Sequence, residues 1–130
     1  MVETKKETIE CENAPKAVGP YSLGIRTGKL VFLSGQLGLN PKTQEFVDGG
    51  IEEQTTQALE NLSNILKTQG LDLDHVVKTT VFLKDMSEFS KMNSVYGRFF
   101  KDNPPARSTV EVSGLPKNGL VEIEVIAVIP

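Results

Sequence analysis

Pro104-Pro-Ala-Arg-Ser-Thr-Val-Glu-Val-Ser-Gly-Leu-Pro116, followed by Leu120-Val-Glu-Ile-Glu-Val-Ile-Ala-Val128, is the stretch on which the reading of this chain turns. It reads as two strands joined by a Gly/Pro turn. In the first, Ala106, Ser108, Val110 and Val112 fall on one face, and Arg107, Thr109 and Glu111 on the other. In the second, Val121, Ile123, Val125, Ala127 and Ile129 share a face, with Glu122 and Glu124 opposite. Most of both strands is built to be covered, so an arginine and a carboxylate set into them need partners. Arg107 is a planar, permanently charged fork that matches a carboxylate. Glu122 is a proton-transfer group if its surroundings are dry. Each has a plainer alternative: Arg107 in a structural ion pair with Glu111, and Glu122 with Glu124 on a solvated face.

Upstream, the pattern supplies the rest of a domain. Lys6–Cys11 reads as a short strand and Glu12–Pro20 as a loop. Tyr21–Arg26 and Leu30–Leu37 flank Thr27-Gly28-Lys29, a hairpin signal. Asn40-Pro41-Lys42-Thr43 is a turn in which proline fixes φ. After Asp48-Gly49-Gly50, the residues Ile51, Ala58, Leu59, Leu62, Ile65 and Leu66 form a helical stripe, ended by Gly70. Val76–Leu83 is a buried strand. A second helix runs from about Ser87 to Lys101 and stops at Asn103-Pro104-Pro105. The order β-β-β-α-β-α-β-β predicts an α+β sandwich: a mixed sheet with both helices on one face. Several strands lack a fully polar face, so the bare side of the sheet is expected to be covered by another subunit.

Composition bounds the function. One domain spanning 1–130 is the simplest organisation, and 38% hydrophobic residues suffice for an ordinary core. Fourteen Lys and Arg against 17 Asp and Glu leave a net charge of −3, which gives no electrostatic footprint for nucleic acid or an anionic membrane as partner. The single cysteine, Cys11, permits no disulfide within the chain and suits a reducing compartment. Met1-Val-Glu-Thr-Lys-Lys-Glu7 has no apolar core of a secretory leader, and no run spans a bilayer; a cytoplasmic protein is expected.

Other residues are candidates by type and place. Asn93 lies on the stripe of Phe89, Met92, Tyr96 and Phe100, where an amide either satisfies a buried backbone group or reaches a ligand. Tyr21 and Ser34 sit at strand ends near glycines; Ser34-Gly35 presents a hydroxyl and a backbone N–H, or Gly35 only permits close packing. His75 is the sole histidine, which argues against a zinc site and leaves a serine triad without a companion. The glycines form no nucleotide-binding motif. No metal or cofactor is expected.

Taken together, these residues resemble the Rid family of reactive-intermediate imine deaminases. The resemblance covers almost the whole chain. It runs through Glu12-Asn-Ala-Pro15, Gly19-Pro-Tyr-Ser22, Leu33-Ser-Gly-Gln-Leu37, Asn40-Pro-Lys-Thr43 and Val77-Lys-Thr-Thr-Val-Phe-Leu-Lys-Asp85. It continues through Met92-Asn-Ser-Val-Tyr96, Pro105-Ala-Arg-Ser108, Val110-Glu-Val112, Leu115-Pro-Lys117 and Val121-Glu-Ile-Glu124. The resemblance implies a chorismate-mutase-like fold, assembled as a homotrimer with three ligand clefts between neighbouring subunits. It implies cofactor-free hydrolysis of 2-aminoacrylate and 2-aminocrotonate to 2-oxoacids and ammonia. By the family pattern Arg107 holds the substrate carboxylate, Glu122 orients water, and Tyr21, Ser34, Gly35 and Asn93 line the cleft. One departure is Thr109, where the family often has cysteine; its backbone N–H can still bind a carboxylate oxygen. A trimeric module that binds 2-oxoacids without turnover is the alternative. Ribonuclease action, also associated with the family, fits poorly with the net negative charge and the lack of a histidine pair.

Overall fold

The computed structural model describes residues 5–130. The first four residues of the stretch read as lacking a secretory leader lie outside them. The elements follow the expected order: β1 (Glu7–Ile9), β2 (Gly24–Thr27), β3 (Leu30–Leu37), α1 (Ile51–Lys67), β4 (Val76–Leu83), α2 (Phe89–Phe99), β5 (Ala106–Glu111) and β6 (Val121–Val128). Local chemistry sets their ends. Gly28, at φ 58, turns the β2–β3 hairpin, whose last pair is Thr27 with Leu30. At the start of α1 the Glu53 carboxylate accepts the Gly50 N–H at 2.9 Å, and this bond holds its pKa below the usual range. Asp85 accepts the Ser87 N–H at 2.9 Å and opens the turn that leads into α2. Both helices end close to the expected residues.

The six strands lie in the order β1-β2-β3-β6-β4-β5. All neighbours are antiparallel except β4 and β5. The two C-terminal strands are therefore joined in sequence but not in the sheet, because β4 lies between them. The reason is topological. A strand that follows a crossover helix returns parallel to the strand before it, so α2 delivers β5 to the outer edge beside β4. The chain then crosses back, and β6 fills the slot between β3 and β4. Alternation of side chains fixes faces; it does not choose partners.

One face of this sheet carries both helices. Leu59, Leu62, Ile65 and Leu66 of α1 and Met92 of α2 are fully buried against Val31, Val81, Leu83, Val121 and Ile123 of the strands. Burial of each such side chain is worth about 1.5–3 kcal/mol. The other face is bare: Leu30 and Phe32 are each 40% exposed and Val110 is 42% exposed. Strand register puts Ile126 beside Phe32 and Val128 beside Leu30 on that same face. Among the described residues no helix is long and apolar enough to cross a membrane.

Candidate functional site

Arg107 sits on the edge strand β5 opposite Thr79, whose side chain is buried, so its own side chain projects toward the helices. Helix α2 receives it. The guanidinium lies 4.7 Å from the Tyr96 ring centroid and 5.5 Å from that of Phe89. Its Nη1 donates to Asn93 Oδ1 at 2.7 Å. Phe89, Asn93 and Tyr96 are spaced along one side of the helix, which is why three residues of one element can brace one arginine. Tyr96 is fixed in turn by a 2.7 Å bond between its hydroxyl and that of Thr79. Burial pushes the Tyr96 phenol up, partly offset by the Thr79 bond and the Arg107 charge, so it stays neutral.

This arrangement corrects two sequence readings. Glu111 does not pair with Arg107: its Oε1 accepts the Met86 N–H at 2.7 Å, and among the described residues no carboxylate forms an ion pair with the guanidinium. Asn93 is exposed and satisfies no buried backbone group; it steers Arg107 instead. Thr109, two residues along the same face, has a buried hydroxyl without a hydrogen-bond partner among the described residues. The Val112 N–H bonds the Leu83 carbonyl at 2.9 Å. Backbone groups alternate sides along a strand, so the N–H groups of Arg107 and Thr109 point away from β4, off the free edge of the sheet.

Glu122 stands on the other side. It lies opposite Leu37 and Phe82, on the bare face of β6. The carboxyl is pushed above its ordinary pKa, first by burial and second by the charge of Glu124. Backbone presses on it directly. The β3–β6 register slips between Leu33 and Gln36, and the bulge brings Gly35 against the carboxylate. A Cβ at Gly35 would lie 2.8 Å from Glu122 Cδ, so a side chain there would push the carboxyl aside. Beside them is a cavity of about 120 Å³ whose walls include Tyr21, Gly35, Gln44, Lys117 and Glu122. The Tyr21 hydroxyl accepts the Val18 N–H at 3.3 Å. Ser34 lines the adjoining groove with Tyr21 and Glu124, and its hydroxyl proton is committed to the Ser22 carbonyl at 2.6 Å.

Seven residues were expected at the site, and the chain divides them. Arg107, Asn93 and Thr109 gather at the β5 edge; Tyr21, Gly35 and Glu122 gather on the bare face, with Ser34 alongside. Arg107 is level with Thr79 and Val125, three residues along β6 from Glu122. Strand spacing and rise put the two Cα atoms about 14 Å apart, with side chains on opposite faces. Within one chain the two side chains do not meet. Sequence reasoning did not connect Gln44 or Lys117 with this cavity; the turn signal at Asn40–Thr43 stopped one residue short of the first. A wider groove of about 800 Å³, between Glu10–Lys16 and the end of α1, holds none of the expected residues. Among the described residues no cluster of His, Cys, Asp and Glu could hold a metal ion.

Comparison with known proteins joins these observations. The family described as Endoribonuclease L-PSP matches residues 11–129. A RutC family protein of Pyrococcus horikoshii is 53% identical over 122 residues, 94% of this chain and 97% of its own. The human protein named 2-iminobutanoate/2-iminopropanoate deaminase is 42% identical over 123 residues, 95% of this chain and 90% of its own. The crystal structure of E. coli TdcF with bound serine superposes with a TM-score of 0.92 at 40% identity, covering 96% of this chain and 100% of that one. A matched region that takes in both groups of expected residues and the strands between them places this chain in the Endoribonuclease L-PSP family, the Rid family that its sequence resembles.

Proposed function

We propose that this chain is an imine deaminase that hydrolyses 2-aminoacrylate, 2-aminocrotonate and their imine forms to 2-oxoacids and ammonia. The observation that carries the reading is the unclaimed Arg107. It is braced by two rings and an amide, has no carboxylate partner among the described residues, and stands on the edge strand of the sheet. Such a group is complementary to a ligand carboxylate. The names of the relatives support the same chemistry, the human deaminase above all.

The reaction asks little of the protein. Arg107 and the outward N–H of Thr109 take the substrate carboxylate and fix the imine carbon. Glu122 accepts a proton as water adds to that carbon, and returns it to the nitrogen. Glu122 next takes the hydroxyl proton of this carbinolamine and passes it to the amine, so that the C–N bond breaks, ammonia leaves and the carbonyl forms. A carboxyl held above its ordinary pKa by burial is suited to both transfers near neutral pH. The imine carbon is already electrophilic, so no side-chain nucleophile is needed and Thr109 replaces cysteine without loss of a step.

The half-sites meet only between chains. We assign the assembly as a homotrimer in which the bare face of one subunit packs on the next, setting the β5 edge of one against the Glu122 cavity of its neighbour. The exposed Leu30, Phe32 and Val110 supply the apolar surface for that contact. A reducing, cytoplasmic setting suits the lone Cys11. Two measurements test the reading. Light scattering should return three times 14.2 kDa; a monomer at working concentration would leave no complete site. In a coupled dehydratase assay, oxoacid should form faster with the protein than without it. Binding of 2-oxobutanoate without any acceleration would favour the binding module instead.

A further inference from the structure

The buried residues of β4 are Val76, Thr79, Val81 and Leu83. Three are apolar. Thr79 is not, and it is completely covered, at 0% exposed. Valine has nearly the same shape, so packing alone does not call for the hydroxyl. A hydroxyl taken out of water costs free energy unless it is bonded. Its use is visible: Thr79 Oγ1 and the Tyr96 hydroxyl oxygen lie 2.7 Å apart, a buried bond between strand and helix.

Thr79 is also the strand partner of Arg107. The two residues leave neighbouring strands at one level and on one face, with Cα atoms about 5 Å apart. The hydroxyl is nevertheless spent on the ring over which the guanidinium lies. Thr79, Tyr96 and Arg107 thus close a triangle across β4, α2 and β5. The ring also packs on Phe100, with centroids 4.7 Å apart. A phenol bound at its tip and packed on its body has no freedom to swing. Both hydroxyls are neutral, so the triangle gives the guanidinium a direction and takes none of its charge. The other polar brace, Asn93, is exposed, and water competes for its bond to Arg107. The bond behind the ring is dry, which makes it the firmer of the two.

We propose that Thr79 is a positioning residue of the carboxylate clamp: it never meets the ligand, and it acts through the Tyr96 ring to hold the Arg107 guanidinium in the direction from which a ligand carboxylate is taken. This rests on the reading of Arg107 as that clamp. A neutral residue beneath the arginine, rather than a second charge beside it, sets its aim.

Calorimetry with 2-oxobutanoate and the magnetic resonance signal of the Arg107 Nε–H test it together, on the full-length protein. Stacked on a ring, that proton should resonate upfield of those of Arg26 and Arg98, and Arg107→Lys identifies it by its loss. Thr79→Val should weaken 2-oxobutanoate binding about fivefold, the worth of one hydrogen bond, and move the signal toward the other two. Thr79→Ser keeps the hydroxyl and should stay within about twofold of the wild type, with the signal in place. Tyr96→Phe removes the other half of the bond and should match the affinity of Thr79→Val; the double variant should lose no more than either alone. Tyr96→Phe also carries the test if Thr79→Val does not fold. Unchanged affinity in Thr79→Val and Tyr96→Phe, a loss in Thr79→Val with the Arg107 signal unmoved, an equal loss in Thr79→Ser, or no binding by the wild type would overturn the proposal. Turnover of 2-iminopropanoate, measured on the same wild-type preparation, separates the two readings. Turnover with an affinity indifferent to Thr79 overturns the positioning alone. The expected losses of binding without turnover overturn the deaminase and leave Thr79 aiming the clamp of a binding site.

Discussion

Around Arg107, side chains do the holding: two rings of α2 within about 6 Å of the guanidinium, an amide on its edge, and the Thr79 hydroxyl bonded to one of the rings. Around Glu122, backbone does it: a bulge in β3 brings Gly35 to contact distance, and the walls are loop segments. The difference follows from what each group must do. A carboxylate clamp needs a fixed direction and an undiminished charge, and aromatic faces give direction without neutralising it. A proton-transfer group needs a dry environment, and close backbone excludes water without adding a counter-charge. Each region is finished on its own terms and lacks the other.

The sharpest way to break this comparison is Glu122→Gln. Gln keeps the shape but takes no proton near neutral pH. Turnover of 2-aminoacrylate should fall by roughly two to four orders of magnitude, while 2-oxobutanoate binding stays near the wild-type level. Binding and turnover lost together would make the carboxylate structural.

The same residue predicts a pH profile. Since its pKa is raised, the acid limb of the rate should lie above the ordinary carboxylate range and disappear in Glu122→Gln. Stability should run the other way. A raised folded-state pKa means that the protonated form favours folding, so this contribution is complete below the ordinary carboxylate pKa and is lost as pH rises through the raised value. Urea midpoints across that interval would show the decline in the wild type and not in the variant.

Arg107→Lys should cost about a hundredfold in turnover with the fold intact, because the charge remains and the fork is lost. Near-normal rates would make the clamp peripheral. Mixing Arg107→Lys with Glu122→Gln tests the division itself. When co-refolded in equal amounts, two poor enzymes should regain roughly a quarter of wild-type activity, since a quarter of the sites would draw a sound residue from each chain. No recovery would mean that both residues act from one subunit. The smallest effect is expected of Thr109→Cys, within about twofold, because the backbone N–H serves the ligand there.

How far the sequence alone leads differs between these regions. Alternation put Arg107 and Glu122 on strand faces correctly, and the stripe Phe89–Asn93–Tyr96 marked the helix side that meets Arg107. These are local periodicities, and a one-residue error would have turned every side chain over. What alternation could not convey was that β4 separates the last two strands, because pairing is chosen by the crossover through α2. Nor could it convey the support around Gln44. Its bonds to Lys16 and Lys117 span 28 and 73 residues, and no window of sequence contains them. Asn93 shows the same limit from the other side. Its position on an apolar stripe suggested burial, whereas its partner 14 residues away draws it outward.

The opposed faces of Arg107 and Glu122 also have a genetic consequence. In the proposed trimer every chain serves two sites, one through its edge and one through its bare face. A folded chain defective at both positions therefore spoils two of them. With sound and defective copies made in equal amounts, half of the chains would be normal but only roughly a quarter of the sites would work. Such an allele would be dominant over a wild-type copy, whereas one that prevents folding would be recessive.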